Sequence, residues 1–169
     1  KHYHYSGEPY MLSYLCTRLA GKKMDALFKD RIADPIGIDA ESWEWGTMQH
    51  PDGTEFNGGS GYPKSGVHIT ARSMARLGWL LANKGSWDGK QLSSEKFIDY
   101  ATAVHWTYPA ITAFDKKGWY NHITGCYGFL FWVNGIRPDG QRMWPHATEN
   151  TFALQGNKNN ICIVIPEWR

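Results

Sequence analysis

No stretch of this chain approaches the ~20 consecutive apolar residues that a membrane-spanning helix needs. No one charge is in excess either: 18 Lys and Arg stand against 16 Asp and Glu, a net charge of +2. That leaves no basic field to hold a phosphate backbone, so nucleic acid is not an expected partner. Cysteine is scarce. Cys16, Cys126 and Cys162 are far apart and odd in number, which suits neither a disulfide framework nor a zinc pattern. They read as buried free thiols, and no metal or other cofactor is expected. No signal-peptide pattern is visible, although the chain opens on Lys1 rather than Met. A length of 169 residues suits one domain with a real core.

What is plentiful is aromatic. Nine Trp and nine Tyr admit two readings: they fill a core and cleft walls, or they form a stacking platform for sugars. Most of the Trp sit beside Gly or in apolar runs, which favours core and cleft.

The best-marked element lies within Gly66 to Leu92. Thr70 is a good N-cap, since its hydroxyl can accept from an amide two or three residues on. Gly85 marks the exit, where a left-handed conformation is often needed. Ala71 to Lys84 between them predicts a helix of roughly 21 Å, apolar enough to pack on more than one side. Trp87-Asp88-Gly89 then reads as a tight turn.

Earlier in the chain, Pro9 opens a helix that Gly21 ends, with an apolar face of Tyr10, Met11, Tyr14, Leu15, Cys16 and Leu19. A second helix spans Met24 to about Ile32. Trp43-Glu44-Trp45 predicts a short strand, and Gly46 to Ser65 a long loop rich in Gly, Pro, Asp and Asn, of the kind that often serves a site. Later, Ser93 or Ser94 caps a helix over Glu95 to Val104. Tyr127 to Val133 predicts a strand by aromatic content, Thr151 to Leu154 another, and Ile161 to Ile165 a buried one.

Three segments carry a resemblance. Thr70, Ala71, Met74, Ala75, Arg76, Gly78, Leu80, Leu81, Gly85, Trp87, Gly89 and Leu92 match, without gaps, a segment of the serine β-lactamase-like family, with Ser73 where the family usually has Asp. That family holds class C β-lactamases, D-alanyl-D-alanine carboxypeptidases and related esterases. Tyr5-Ser6-Gly7 with Tyr10, Leu12 and Gly21 resembles its Y-S-N segment, and Pro35-Ile36-Gly37-Ile38 resembles its P-L-G-M. Thr151 to Gly156 and Ile163 to Glu167 are similar to its substrate-side strand, turn and following strand.

The resemblance implies an α+β fold, a mostly antiparallel sheet packed with helices, present here as a single partial domain over 1–169. It implies a catalytic Tyr5 and a substrate-binding Gly7, though Gly7 stands where the family has Asn. It places the K-T-G or H-x-G triplet at Thr151-Phe152-Ala153, followed by Leu154, as substrate contacts; neither Lys nor His occurs there. In the family a Ser of S-x-x-K attacks a carbonyl, and that Lys and the Tyr share the proton work. A phenol titrates near pH 10, so the Tyr needs nearby positive charge to act as a base.

No S-x-x-K precedes Tyr5, so the chain is expected to be a fragment lacking the nucleophile segment, and inactive alone. Sheet strands are expected to be missing downstream too. Ser93-Ser94-Glu95-Lys96 has the spelling, but it follows the long helix and reads as a plain cap with a solvated Lys96. His68 reads as structural, and His146 and Glu149 as cleft lining. His2 and His4 alternate like a metal pair, without a third ligand near them in sequence.

Two functions are carried forward. The first is part of a serine hydrolase acting through an acyl-enzyme on a small-molecule ester, amide or peptide. The second is a non-catalytic, Trp-rich binding module for sugars or peptides. Oligomeric state stays unassigned, and the family's habits point to export in a bacterium.

Overall fold

The computed structural model describes residues 8–59, 65–107, 124–156 and 160–168. They form two compact units, one running to Leu77 and the other from Gly78 onward. Helices and small antiparallel sheets alternate, so the α+β expectation holds.

In the first unit, helix α1 (Glu8–Ala20) ends at Gly21, whose φ of 63° is the left-handed exit expected of it. Its packing face is not the expected one. Ser13 and Thr17 are buried, while Met11, Leu15 and Leu19 are exposed. Small hydroxyl side chains let the helix approach a strand closely, and the Ser13 hydroxyl donates to the Asn57 carbonyl at 2.6 Å. Helix α2 (Met24–Phe28) runs into a π-helical turn over Lys29–Ala33. Ala33 and Ile36 behind it are fully buried.

Strand β1 (Trp43–Trp45) is where the sequence puts it. The following stretch is not simply a loop. It folds into a hairpin, β2 (Thr47–Gln49) against β3 (Glu55–Asn57), turned by Pro51-Asp52-Gly53. Strands of three residues are too short to show a period, so the stretch reads as loop throughout. Tyr14 and Arg18 on α1 hold the turn: both donate to Asp52 Oδ2, at 2.7 and 2.8 Å. His50 Nδ1 lies 3.0 Å from Oδ1, and its ring stacks on Tyr14. These donors, the Tyr14 hydroxyl first and then the Thr54 amide, hold the Asp52 carboxyl well below the usual carboxylate range.

Strand β4 (Val67–Ile69) pairs with β1 and leads into α3 (Ala71–Ala82). Thr70 caps α3 as expected, its hydroxyl accepting from the Ser73 amide at 3.4 Å. Ser73, buried at the first turn, shares its hydroxyl with Thr70 and with Ser42, at 3.1 and 2.7 Å. Arg76 donates to the Ile36 carbonyl at 2.8 Å. The M-A-R and P-I-G-I segments, 40 residues apart, are thus bonded to each other.

In the second unit, α3 closes with paired bonds, Gly85 N–H to Leu80 and Lys84 N–H to Leu81. Lys84, not Gly85, is the first left-handed residue, with φ 52°. Gly85 follows at φ 82° and lies so close to Ser93 that a Cβ would stand 2.4 Å from its carbonyl oxygen. Strands β5 (Ser86–Trp87) and β6 (Lys90–Gln91) flank Asp88 and Gly89, both at positive φ, as a type I′ turn requires.

Helix α4 (Glu95–Ala101) is capped by Ser94, whose hydroxyl accepts from the Phe97 amide. It stops short of Val104. The Tyr127 to Val133 strand is mostly a turn: Gly128 N–H bonds the Phe131 carbonyl, Leu130 has φ 67°, and only Trp132–Val133 (β7) is strand. Strands β8 (Phe152–Gln155) and β9 (Ile161–Val164) complete an antiparallel sheet in the order β7-β8-β9. Ala82, Val133, Phe152 and Val164 form its core with α3, the Val and Phe side chains contributing about 1.5–3 kcal/mol each by burial. Gly78 lets α3 settle onto β9, since a Cβ there would stand 3.2 Å from Cys162 Sγ. The strand β9 is buried on one face only: Cys162 and Val164 face α3, and Ile161 and Ile163, on the other face, are exposed.

Two outcomes follow from these contacts. Ser94→Ala should cost about 1 kcal/mol in urea unfolding, and Ser93→Ala less than about 0.5 kcal/mol. Asp52 has its folded pKa lowered, so its stabilisation is present above the unfolded carboxyl pKa of about 4 and lost as pH falls below it. Asp52→Asn should therefore flatten the acid side of a melting-temperature profile below about pH 4.

Candidate active site

Tyr5 and Gly7 lie outside the described residues, as do His2 and His4. The structure does describe what surrounds the start of the helix that follows them. Gly59 lies against α1 there, where an added Cβ would meet Pro9 Cβ at 3.2 Å and the Tyr10 ring at 3.8 Å. The neighbouring Gly58 accepts a hydrogen bond from the Trp45 indole at 2.7 Å. It also passes so close to Ser65 that a Cβ would collide with it.

Asn57 sets this stretch. Its side chain is fully buried. The amide nitrogen donates to the Trp45 and Gly46 carbonyls, at 3.1 and 3.3 Å, and the amide oxygen accepts from the Asp25 backbone at 2.8 Å. One side chain thereby ties β1, β3 and the start of α2. The Gly58-Gly59 pair follows directly, with Gly59 against the first turn of α1.

The substrate-strand candidates lie in the other unit. Thr151, Phe152 and Ala153 are buried. The Thr151 hydroxyl pairs with that of Thr148, and its carbonyl accepts from the Asn134 amide. Phe152 belongs to the core with Val133 and Val164. Leu154 and Gln155 are partly exposed and Gly156 is exposed, so the accessible end of β8 begins after Ala153. Of the four residues expected along the substrate strand, Thr151, Phe152 and Ala153 are buried and Leu154 is partly exposed.

A second buried amide governs this half. Asn134 is 1% exposed. It donates to the carbonyls of Trp144, Ala147 and Thr148, at 3.1, 3.2 and 2.8 Å, and accepts from the Trp144 amide at 2.7 Å. Arg142 donates to the Asn134 carbonyl at 2.8 Å and to Glu149 at 2.9 Å. Glu149 lines a groove of about 800 Å³ with Lys84, Asp99, Val104 and Glu167. His146 is exposed and not among its lining. Neither buried Asn stood out in the sequence. Both precede Gly, and Asn-Gly reads first as a turn.

The remaining candidates are structural. Burial pushes the Cys126 and Cys162 thiols up, away from a thiolate nucleophile. Lys96 is exposed, and Ser93 lies on Gly85 rather than at the helix cap. His68 sits exposed on β4, opposite Glu44. Among the described residues no three His, Cys, Asp or Glu gather as a metal set, and no helix is long and apolar enough to cross a membrane.

No protein-family model matches the chain, and no curated protein matches it. Solved structures do. A candidate 6-aminohexanoate-dimer hydrolase from Bacillus anthracis superposes with a TM-score of 0.59 at 21% identity, over 92% of this chain and 33% of its own. A candidate β-lactamase from Bacteroides dorei gives 0.60 at 16%, over 92% and 43%. A penicillin-binding-protein homologue from Caulobacter crescentus gives 0.59 at 18%, over 99% and 50%.

The chain has the β-lactamase and penicillin-binding-protein fold. It spans between a third and half of the length of these structures. Within that fold, the resemblance of the M-A-R and P-I-G-I segments has a physical content, because Arg76 joins them.

Asn134 offers a direct check on how the substrate-strand half is held. Asn134→Ala takes a donor from three part-buried carbonyls, two of which keep a backbone bond, and an acceptor from the Trp144 amide, so unfolding free energy should fall by about 2–3 kcal/mol. Asn134→Asp should fare no better, since a carboxylate cannot donate to three carbonyls. Urea unfolding of the two variants is the measurement.

Proposed function

We propose that the chain is part of a serine hydrolase that cleaves an ester or amide of a small molecule or peptide through an acyl-enzyme. Carboxylesterase, D-alanyl carboxypeptidase and β-lactamase chemistry share that course. The observation that carries the reading is the fold, matched over more than nine-tenths of this chain by structures described as hydrolase, β-lactamase and penicillin-binding-protein homologue. The Tyr5-Ser6-Gly7 segment directly before α1 adds the chemistry.

In this reading a serine hydroxyl, from an S-x-x-K outside these 169 residues, attacks the substrate carbonyl. Tyr5 carries the proton from that hydroxyl to the leaving group. Backbone amides stabilise the oxyanion, as charge develops there only in the transition state. A water then releases the acyl group by the reverse proton path. Gly7 supplies backbone and space in place of the family's Asn amide. Thr151, Phe152, Ala153 and Leu154 form the substrate strand, with no Lys or His to hold a substrate carboxylate. Esters and amides without a free carboxylate are therefore the better substrates.

Tyr5→Phe in the full-length protein tests the role directly. Phe keeps the ring and removes the proton carrier, which in general acid–base catalysis is typically worth 10²–10⁴-fold. With Gly7 replacing Asn, the Tyr is less tightly oriented, so a loss of about 10²-fold in kcat on an activated ester is expected. Melting should not change. Activity within about threefold of wild type, far below the general acid–base range, would reduce Tyr5 to packing.

A further inference from the structure

Trp79 does not take part in the core. It is 50% exposed on α3, although its neighbour Leu80 is buried. Beside it lies a depression of about 420 Å³, lined also by Asn83, Ser86, Asp88, Gln91 and Glu95. That volume falls within the ~300–1,000 Å³ of small-molecule sites. Apart from the indole its walls carry amides, a hydroxyl, carboxylates and the Lys84 ammonium. A flat apolar face edged by such groups suits a ligand with a C–H face and a rim of hydroxyls.

We propose that this depression binds a neutral saccharide, with a pyranose ring against Trp79 and its hydroxyls on the polar rim. The inference is independent of the hydrolase reading. Charge argues against an anion. Lys84, also in the lining, is held by Glu95 and Asp99 at 3.3 and 3.2 Å. Its positive charge is thereby offset, and the Asp88 carboxylate at the rim repels an anion. Among the described residues nothing donates to that carboxylate, so it is available to accept from a pair of vicinal hydroxyls.

The rim is also pre-shaped. Asp88 and Gly89 both have positive φ in the β5–β6 turn. Gln91 donates to the Lys84 and Ser93 carbonyls, at 2.7 and 2.6 Å, which fixes the turn to the end of α3 and leaves its amide oxygen as a further acceptor. A ligand meeting this rim orders little that is not already ordered.

The test is calorimetric titration of the 169-residue chain with cellotriose, maltotriose and triacetylchitotriose. At least one should bind with a Kd of about 1 mM. Trp79→Ala should weaken that binding about tenfold or more, and Trp79→Tyr about threefold, since Tyr keeps a flat ring. Asp88→Gly, which tolerates the positive φ, should weaken it about fivefold through the lost acceptor. Should Trp79→Ala fail to fold, Trp79→Tyr and Asp88→Gly decide. The proposal is overturned if no trisaccharide binds at about 20 mM, or if binding survives these substitutions unchanged. It is also overturned if tetramethylammonium, a cation without hydroxyls, binds at Trp79 more tightly than any of the three.

Discussion

Two buried asparagine amides hold the irregular parts of this molecule in place. Asn57 and Asn134 are among the largest fully buried side chains. Each bonds several backbone groups of irregular segments, and buried backbone polar groups need such partners. Asn134 bonds three carbonyls and an amide between Trp144 and Thr148. Asn57 does the same between β1, α2 and β3. A glycine follows each of them, and each glycine lies where a Cβ would collide, with Ser65 at Gly58 and with the Gly125 carbonyl at Gly135. The amide gathers the chain and the glycine lets a second segment pass beside it.

The regular elements rely on a different constraint, close approach. Ser13 and Thr17 let α1 reach β3, and Gly78 lets α3 reach β9. In both cases a small residue stands where a larger apolar one would be the usual choice for a packed helix. That choice sets what can be read in advance. Periodicity predicts that the apolar stripe of α1 faces inward, yet Met11, Leu15 and Leu19 face out. The helix itself was legible through Pro9 and Gly21, because its ends are local chemistry. Its buried face was not, because that depends on a partner far along the chain.

The same division runs through the rest of the molecule. Thr70 as cap and Trp87-Asp88-Gly89 as turn follow from residue type alone, and the structure has them. The β2–β3 hairpin and the turn inside Tyr127 to Val133 were missed. The first consists of three-residue strands. The second is set by Gly128, which packs on the Ala101 and Ala103 carbonyls, a contact with no sequence signal. For the candidate site, sequence resemblance pointed to β8 but not to burial along it. Thr151 is placed by Asn134 and Thr148, both outside the strand. Tyr5 and Gly7 stand as the sequence left them, outside the described residues.

Likeness of fold and likeness of chemistry rest on different residues here. The positions that match the family most fully are Thr70, Arg76, Gly78 and Gly85, with Pro35 to Ile38. Each has a structural reason that involves no substrate: a cap, a carbonyl to hold, a strand to admit, a chain reversal, a buried turn. Selection for folding alone would keep them, whether or not any bond is cleaved. The positions to which the proposed hydrolase reading gives chemistry are those where the sequence differs from the family's pattern: Gly7 for Asn, and no Lys or His at Thr151 to Ala153. A carboxylate-bearing substrate would meet no cation there, and desolvating an unpaired carboxylate is costly. In the proposed hydrolase reading these departures bear on substrate class before they bear on mechanism, because a serine and a tyrosine suffice to open an uncharged ester.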